Sequence, residues 1–449
     1  MGAPASRLVC GACGATPDPR DPYPFRCPRA DGDDVDHVLV RVLDPDDVRF
    51  PDGTAGSASP FVHYRGLLHS HHRAIAGGMS DDEVVELVAR LDDRVATVAG
   101  SGFRVTPFGR DPVLSDRLGF GAAGGVWVKD ETGNVSGSHK GRHLMGVLLH
   151  LEVAERLGLA DPGARPDLAI ASCGNAALAA AVVARAAERR LRVFVPVDAD
   201  PVVLRALHEL GADVVTCDRR PGAAGDPAYA GLRAALAAGA VPFTCQGNEN
   251  GLVIEGGETL AYEVVSELRA TGTDLDHLVV QVGGGALASA CIAGFAEAVD
   301  LGALDHGPRI HTVQTMGGHP LERAYRRVRA DLPASPGAAD VEAALRRAAT
   351  HRSAYMWPWE EEPHSIATGI LDDETYDWRA VVAGMLTTGG RPLVVGEEQL
   401  ARAHDLGHAA GYAVDPTGSA GLAGLLDLLE AGDVGPGDRV GILFTGVDR

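Results

Sequence analysis

The spacing of apolar positions changes character along the chain. Residues 81–99 place apolar side chains at helical spacing and begin with acidic residues, which favour a helix N-terminus. From about residue 125, short β-branched runs alternate with Ala-rich stretches of helical pattern. The pattern predicts helices at 140–157, 176–189 and 201–211, and strands at 126–130, 167–172, 192–197, 213–217, 278–282, 310–315, 392–396 and 440–445. This alternation predicts an α/β fold of parallel sheets with helices on both faces.

Composition narrows the class of protein. The 449 residues suffice for two or three ordinary domains, and the 45% apolar content supplies a core built mainly from Ala, Val and Leu. The formal net charge of −21 predicts no nucleic-acid or membrane partner, because both bind through neutralisation of phosphate. Seven irregularly spaced cysteines do not suggest a disulfide scaffold. Without an apolar secretory or transmembrane run, we expect a cytoplasmic protein.

A lysine stands where a predicted strand turns into a predicted helix. Lys140 lies in GNVSGSHKGR, and a cation at a helix start is opposed by the helix dipole. Such a position suits a lysine that works neutral or bonded as an imine, although a solvated surface lysine is the plain alternative. The preceding Ser136, Gly137 and Ser138 belong to a turn whose amides suit a phosphate.

Further turns follow predicted strands or lie near the end of the chain. SCGNAALAAA (172–181) offers amide donors and an Asn side chain, VGGGALA (282–288) lets the backbone wrap an anion, and DPTGSAG (415–421) and FTG (444–446) place hydroxyls at turns. A hydroxyl can hydrogen-bond a pyridine nitrogen without protonating it. Taken singly, each segment is also an ordinary turn or helix cap.

Together these segments resemble, in order and separation, the fold type II family of pyridoxal-phosphate (PLP) enzymes, most closely its threonine-synthase branch. GSHKGR is similar to the Schiff-base motif, SCGNAA to the asparagine loop, GGGAL to the phosphate loop, DPTGSAG to the acid-Pro-x-Gly/Ser turn, and FTG to the pyridine-nitrogen turn. GLVIEGGETLAYEV (251–264) also resembles the family's Glu-Gly-x-x-Thr-x-x-x-Glu helix start. The resemblance covers roughly residues 100–449.

The resemblance implies specific roles for these residues. Lys140 would hold PLP as a Schiff base and carry protons, Asn175 would bond the cofactor's O3′, and Thr445 would meet its pyridine nitrogen. The phosphate would lie on the loop formed by Gly283, Gly284, Gly285, Ala286 and Leu287. The substrate would contact Ser138, His139, Ser172, Cys173, Gly174 and Thr417.

The family's architecture carries expectations for the whole chain. It implies two doubly wound parallel-sheet domains with the cofactor between them: a large one from 46–130 and 246–449, and a small one from 131–245. A homodimer is expected from the family alone. HSIATGI (364–370) resembles a stretch near the family's substrate, whereas we expect the acidic pairs at 360–362 and 372–373 to be solvated loop charges.

Residues 1–45 form a separate, zinc-ribbon-like segment. Cys10 and Cys13 are followed by Cys27, and His37 is the best remaining ligand, because a structural zinc site needs four soft or borderline donors. Some relatives in the threonine-synthase branch carry such a ribbon at this end. The alternatives are a structural Cys3His zinc site and a ribbon that has lost its metal.

Three functions remain open. The first is a threonine-synthase-like lyase that eliminates or replaces a substituent, with Arg142 favouring a phosphorylated amino acid. The second is a β-replacement synthase or a deaminase of the serine/threonine dehydratase type. The third is a zinc-ribbon binding protein with an inactive PLP-fold body. His139 and Gly141 differ from the threonine-synthase pattern beside the lysine, and Cys173 stands where Ser or Thr is common, so the branch does not imply O-phosphohomoserine as substrate.

Overall fold

Strands and helices alternate through most of the chain. The computed structural model describes residues 4–54, 56, 58–218 and 225–449. The strands are β1 (Ser6–Cys10), β2 (Leu39–Leu43), β3 (Phe108–Asp111), β4 (Gly125–Asp130), β5 (Leu168–Ala171), β6 (Leu191–Pro196), β7 (Asp213–Cys217), β8 (Val241–Pro242), β9 (His277–Gln281), β10 (Arg309–Thr315), β11 (Pro392–Val395) and β12 (Arg439–Phe444).

The helices fill the connections between these strands. They are α1 (Pro60–His63), α2 (His69–Ala76), α3 (Asp81–Ala99), α4 (Pro112–Arg117), α5 (Lys140–Arg156), α6 (Asn175–Ala186), α7 (Pro201–Glu209), α8 (Pro227–Ala237), α9 (Val253–Thr271), α10 (Ala286–Asp300), α11 (Pro320–Ala330), α12 (Ala338–Ala349), α13 (Trp378–Thr388), α14 (Glu397–Ala409) and α15 (Ala420–Ala431). The predicted strands are confirmed to within one residue at each end, and the predicted helices begin within one residue of their expected starts.

Two sheets carry the fold. The larger has the strand order β11-β10-β9-β12-β4-β3, in which only β3 runs antiparallel to its neighbour. The smaller has the order β7-β6-β5-β8 and is parallel throughout. The predicted α/β class with two parallel sheets is therefore confirmed, whereas the exact domain boundaries stay a prediction.

The large sheet is buried on both faces, as its near-continuous apolar strands predict. In β9, Leu278 and Val280 belong to one buried core, while Val279 between them belongs to a second. Strand β12 divides in the same way, with Leu443 in the first core and Ile442 in the second. Successive side chains of a strand point to opposite faces, so one apolar run supplies both layers.

The core beside the small sheet also includes helix α3, which precedes the strands of that sheet in the sequence. Helix α3 begins at a capping box between Ser80 and Glu83, and its buried face includes Leu87 and Leu91. These residues join the core that contains α5, α6, β5 and β6. Helix α3 therefore packs on α6, beside the small sheet, although its sequence lies in the range 46–130 that we assigned to the large domain.

Helices α5 and α9 cross at two glycines. A Cβ atom on Gly146 would lie 2.8 Å from Gly256 Cα, and one on Gly256 would lie 2.2 Å from the Arg142 carbonyl oxygen. Neither helix can carry a side chain at this crossing without separating from the other. The close approach fixes the start of α5, and with it Lys140, relative to the large sheet.

The amino-terminal segment is attached to the body of the protein. Strands β1 and β2 form an antiparallel pair, and the carboxylate of Asp36 accepts from Trp378 Nε1 at 3.2 Å and pairs with Arg379 at 3.4 Å. Phe25 packs edge-on against His150 of α5 at 5.6 Å between ring centroids. Within the described ranges, the helices are too short or too polar to cross a membrane.

Candidate active site

A cavity of about 390 Å³ lies where the carboxyl ends of the two sheets face each other. Its wall includes residues that directly follow β5, β9 and β12, together with part of the segment 362–376. Crevices at the carboxyl ends of parallel strands are the usual ligand sites of open α/β sheets, and this volume suits a small molecule.

Three helices begin at this cavity. Helix α5 begins with Lys140, α6 with Asn175, and α10 with Ala286 after Gly285 in a left-handed conformation at φ +101°. The first amides of a helix have no partner within the helix and carry partial positive charge. The cavity wall is therefore rich in donors for anionic oxygens.

The structure brings nearly all the predicted ligand-contacting residues to the lining of the cavity. Those lining the cavity are His139, Lys140, Ser172, Cys173, Gly174, Asn175, Gly283, Gly284, Gly285, Ala286, Leu287, Thr417 and Thr445. Ser138 is the exception: it is fully buried behind the wall and forms an antiparallel bridge with Gly446.

Lys140 is one of only two lysines in the whole sequence. The other, Lys129, is fully buried, and its Nζ lies 2.5 Å from a carboxylate oxygen of Glu263. Lys140 is half-buried and faces the cavity. An imine with an aldehyde cofactor requires a lysine amine that the cofactor can reach, and Lys140 alone meets that requirement.

The turn before Lys140 is held by the end of the chain. The His139 amide donates to the Thr445 carbonyl at 3.3 Å, and the Val447 amide donates to the Gly137 carbonyl at 2.9 Å. Gly137 has φ +66°, and a Cβ atom there would lie 2.4 Å from Val447 Cγ1. The left-handed turn is therefore specific for glycine and places Lys140 beside Thr445.

Thr445 has a hydrogen-bond partner that the sequence did not reveal. The Nε2 amide of Gln281 donates to Thr445 Oγ1 at 2.6 Å. An amide nitrogen can only donate, so the threonine hydroxyl accepts from Gln281 and keeps its own hydrogen for another acceptor. A neutral pyridine nitrogen is such an acceptor. Gln281 ends strand β9 just before the glycine loop, and its strand position made it resemble a packing residue.

Asn175 is fixed at both ends of its side chain. Its Oδ1 accepts from Arg449 Nη1 at 2.5 Å, and its amide nitrogen donates to the carboxylate of Asp415. An amide nitrogen carries two hydrogens, so one remains for a ligand oxygen. The Asp415 and Arg449 contacts come from segments far along the chain, and no local pattern signalled them.

The glycine loop already binds an anionic oxygen. The carboxylate of Asp372 accepts from the Gly284 amide, and burial raises the pKa of Asp372 to about 6 although Lys140 opposes the shift. A Cβ atom on Gly283 would lie 2.4 Å from Asp372 Oδ2 and 2.9 Å from Ile370 Cα. Our expectation that Asp372 is a solvated loop charge was wrong, because the loop folds back over the glycines.

The cavity is strongly acidic. Its wall carries five carboxylates, from Asp198, Asp226, Glu362, Asp372 and Asp373, and among the described wall residues Lys140 is the only cation at neutral pH. His139 stays neutral, because burial and the neighbouring Lys140 hold its pKa well below the usual value. Burial and the charges of Asp226, Asp198 and Asp372 raise the pKa of Cys173. Three carboxylates therefore act on the loop expected to hold the substrate.

Arg142 does not face the cavity. Its side chain is fully buried and bonds Glu131 Oε2 at 2.8 Å and Glu263 Oε1 at 2.6 Å. The expectation that Arg142 favours a phosphorylated substrate is wrong, because the two carboxylates hold its side chain in the buried interior, away from the cavity. Glu263, together with Thr259, belongs to the segment 251–264, whose family-like pattern thus builds a buried ionic network.

The cavity residues fit the parts of PLP. The amine of Lys140, the spare hydrogens of Asn175 and Thr445, and the anion-binding amides of the glycine loop match its aldehyde, phenolate, pyridine nitrogen and phosphate. The α-carboxylate of an amino acid suits the start of α6, where Ser172 Oγ already accepts from the Gly174 amide at 3.4 Å.

The four amino-terminal candidates also come together. Their ligand atoms all lie within 4.8 Å of one another, with Cys13 Sγ 3.6 Å from Cys27 Sγ and Cys10 Sγ 3.5 Å from His37 Nδ1. Although burial opposes it, hydrogen bonds from the Ala15 backbone and the neighbouring thiols lower the pKa of Cys13 to about 7. These are the donor types and the spacing of a tetrahedral zinc site.

Comparisons with known proteins agree with this geometry. The family model described as "Pyridoxal-phosphate dependent enzyme" matches residues 100–446. The threonine synthase of Methanosarcina acetivorans is 26% identical over 345 residues, covering 76% of this chain and 74% of the relative. That of Methanocaldococcus jannaschii is 25% identical over 194 residues, covering 43% of this chain and only 41% of the relative's length.

Solved structures show the same fold. Threonine deaminase isoform 2 from Solanum lycopersicum superposes with a TM-score of 0.57 at 16% identity, covering 83% of this chain and 92% of that chain. Maize serine racemase gives a TM-score of 0.56 at 17% identity, covering 81% of this chain and 93% of that chain.

Proposed function

Since this chain belongs to the family of pyridoxal-phosphate dependent enzymes, we propose that Lys140 binds the cofactor and that the protein eliminates or replaces a side-chain substituent of an amino acid. The observation that carries the proposal is the position of Lys140. It faces a cavity whose other walls offer an anion-binding loop, a hydroxyl with a free hydrogen and a helix start. These features also disfavour an inactive PLP-fold body.

Different residues around the cavity would transfer the proton and bind the substrate. Bound PLP supplies an electron sink for the substrate's α-carbon. The Nζ of Lys140 takes the α-proton, and the amides at the start of α6 hold the substrate carboxylate. The hydroxyl of Thr445, which accepts from Gln281 and keeps its own hydrogen, would hydrogen-bond the pyridine nitrogen without protonating it, and this would favour loss of a β- or γ-substituent.

Lys140 can be tested by chemical trapping. Borohydride reduction of the PLP-loaded chain is expected to fix one cofactor per chain, and peptide mass spectrometry should locate it on Lys140. Lys140→Ala should lose the label, the visible absorbance of bound cofactor and turnover. In the unaltered chain the peptide that contains Lys129, the other lysine, is the internal control and should carry no label. Label on another residue, or turnover retained by Lys140→Ala, would contradict the assignment.

We further propose that the substrate's side chain is neutral or cationic rather than phosphorylated. The five carboxylates of the wall and the cofactor's own phosphate would repel a second phosphate, and Arg142 is sealed away from the cavity. The charges of Asp226, Asp198 and Asp372 act on Cys173, which lies two residues before the start of α6, where the substrate carboxylate would be held. Among the threonine-synthase-like and deaminase alternatives, the charge of the cavity wall therefore favours substrates whose side chain carries no phosphate.

A substrate panel tests this selection. We expect kcat/KM for diaminopropionate or threonine to exceed that for O-phosphohomoserine and O-phosphoserine. Asp226→Asn should reduce kcat/KM for the cationic substrate by about tenfold, equivalent to about 1.4 kcal/mol, and change that for threonine little. The exposed Asp305→Asn is the control. Preferred turnover of O-phosphohomoserine would overturn the selection but leave the role of Lys140 intact.

We also propose that Cys10, Cys13, Cys27 and His37 hold a structural zinc ion. The site joins β1 to the segment before β2, and its neighbour Asp36 bonds α13, so zinc would stabilise the attachment of the whole segment. Cys13→Ser should lower zinc content by one ion per chain and lower the thermal midpoint. Cys217→Ser, outside the cluster, should change neither. Equal zinc content in Cys13→Ser and the unaltered chain would contradict the site.

Family resemblance supports a homodimer. Sedimentation equilibrium should give twice the chain mass, and a monomeric active enzyme would contradict this.

A further inference from the structure

Two histidines and an aspartate meet where the end of the chain crosses α14. His404 and His408 are four residues apart on this helix, so they share one face, and their ring centroids are 4.3 Å apart. Asp448 follows β12 in a segment held along residues 413–415, with its amide donating to the Ala413 carbonyl at 3.0 Å. The three side chains therefore come from two separate parts of the chain.

Their donor atoms converge on one point. A single carboxylate oxygen, Asp448 Oδ2, lies 3.9 Å from His404 Nε2 and 3.7 Å from His408 Nε2. Metal–ligand bonds of about 2.0–2.2 Å at tetrahedral angles separate ligand atoms by about 3.4 Å. Small side-chain rotations would therefore bring all three atoms into a first coordination shell.

The surroundings suit an ion. His404 Nε2 is buried without a hydrogen-bond partner among the described residues, while the Asp448 side chain is 48% exposed and leaves room for water. Asp405 Oδ1 lies 4.0 Å from His404 Nδ1, on the side where metal-bound histidines usually have a carboxylate partner. His408 Nε2 lies 3.0 Å from the Val414 carbonyl and would exchange that hydrogen bond for the ion.

We propose that His404, His408 and Asp448 bind a divalent transition-metal ion of the zinc or nickel type. Two imidazoles and one carboxylate are the ligands these ions prefer, and water would complete the shell. The ion would fasten the final segment to α14. The next residue, Arg449, bonds Asn175 and the Ser136 carbonyl, each at 2.5 Å, so the fastened segment reaches the wall of the cavity.

Calorimetric titration with nickel chloride tests the site. The titrated protein is the full chain with the zinc that remains bound after gel filtration. We expect uptake of one nickel ion per chain with micromolar affinity and a metal-dependent rise in thermal midpoint. His404→Ala and His408→Ala should each weaken binding by at least about tenfold, and Asp448→Asn should weaken it less. These measurements do not depend on the bound cofactor or on turnover.

Two controls keep the result specific. His306→Ala removes an exposed histidine elsewhere and should bind nickel like the unaltered chain. Cys13→Ser should also keep this affinity, which separates the site from the amino-terminal cluster. Absence of nickel uptake, or equal affinity in a correctly folded His404→Ala chain, would overturn the proposal.

Discussion

Two buried ionic networks on helix α9 differ in their charge balance. In the network beneath Lys140, the cations of Arg142 and Lys129 face the carboxylates of Glu131 and Glu263, and all four side chains are at most 1% exposed. In the second network, the cation of Arg41 alone faces three carboxylates. These belong to Glu255, Glu258 and Glu297, and Tyr262 donates to Glu297 Oε2 at 2.5 Å.

The two networks move carboxyl pKa values in opposite directions. Burial alone would raise the pKa of Glu131, but Arg142 and Lys129 overcome it and lower the pKa to about 2. In the second network burial prevails over Arg41 and raises the pKa of Glu255 to about 7 and of Glu258 to about 8. The same degree of burial thus gives ionised or neutral carboxyls depending on how many cations share the site.

The difference matches the tasks of the two regions. The balanced network holds the start of α5, which brings Lys140 to the cavity. The surplus-acid network attaches β2, and through it the amino-terminal segment, to α9 and α10. We therefore expect the first network to tolerate loss of a charge poorly and the second to tolerate it well.

The largest effect is expected from Arg142→Met. It would leave two buried carboxylates facing Lys129 alone, and breaking a buried ion pair in this way costs about 3–5 kcal/mol. Urea denaturation should show that loss in the free energy of unfolding. Arg156→Met, which removes an exposed cation from the same helix, should change it by less than about 0.5 kcal/mol. Equal losses in the two variants would mean that the network contributes nothing specific.

Glu131→Gln should be the next most costly change. The carboxylate accepts from Arg142 Nε at 2.8 Å, Asn134 Nδ2 at 2.6 Å and Thr106 Oγ1 at 2.5 Å. An amide turns one acceptor into a donor and leaves the guanidinium underpaired, a loss of about 2–3 kcal/mol. Denaturation at pH 7 measures it, and a change below about 0.5 kcal/mol would contradict the role given to Glu131.

The sequence predicted the regular elements of the fold better than the contacts between distant segments that build these networks. Apolar periodicity located eight of the ten strands in the two sheets, because a strand buried on two faces is a short continuous apolar run. Lys140, Asn175 and Thr445 were recognisable because each stands in a turn next to a regular element. Short edge strands such as β3 and β8 carry too little pattern to be recognised.

Contacts between distant segments could not be inferred in this way. Gln281 and Thr445 meet only because β9 and β12 are neighbours in the sheet. Asp372 reaches the glycine loop through an irregular segment. Arg142 was expected to favour a phosphorylated substrate because its partners Glu131 and Glu263 could not be inferred from the sequence. The role of a charged residue in a motif can be assigned only when the residues that contact it are known.

Stability should depend on pH in opposite ways for the two networks. Raised carboxyl pKa values stabilise the fold below the ordinary value of 4.5, and that stability is lost as pH rises through about 7 and 8. We expect the free energy of unfolding to fall by about 3–4 kcal/mol between pH 6 and pH 8, because both groups titrate there only in the folded state. The lowered pKa of Glu131 affects the free energy of unfolding only below about pH 4.5, where stability is lost as pH falls towards about 2. Denaturation across pH 3–9 should therefore show a maximum near pH 4–5, and a curve still rising at pH 8 would contradict the surplus of buried acid.

The smallest effect is expected from Glu258→Gln, the counterpart of Glu131→Gln in the other network. Glutamine keeps the shape, and its amide oxygen still accepts from Arg41. The change removes a surplus charge, so at pH 8 stability should stay within about 1 kcal/mol of the unaltered chain or rise slightly. The fall between pH 6 and pH 8 should become shallower, because one of the two raised groups no longer titrates. If Glu258→Gln costs as much as Glu131→Gln and leaves the pH dependence unchanged, charge balance is not what distinguishes the two networks.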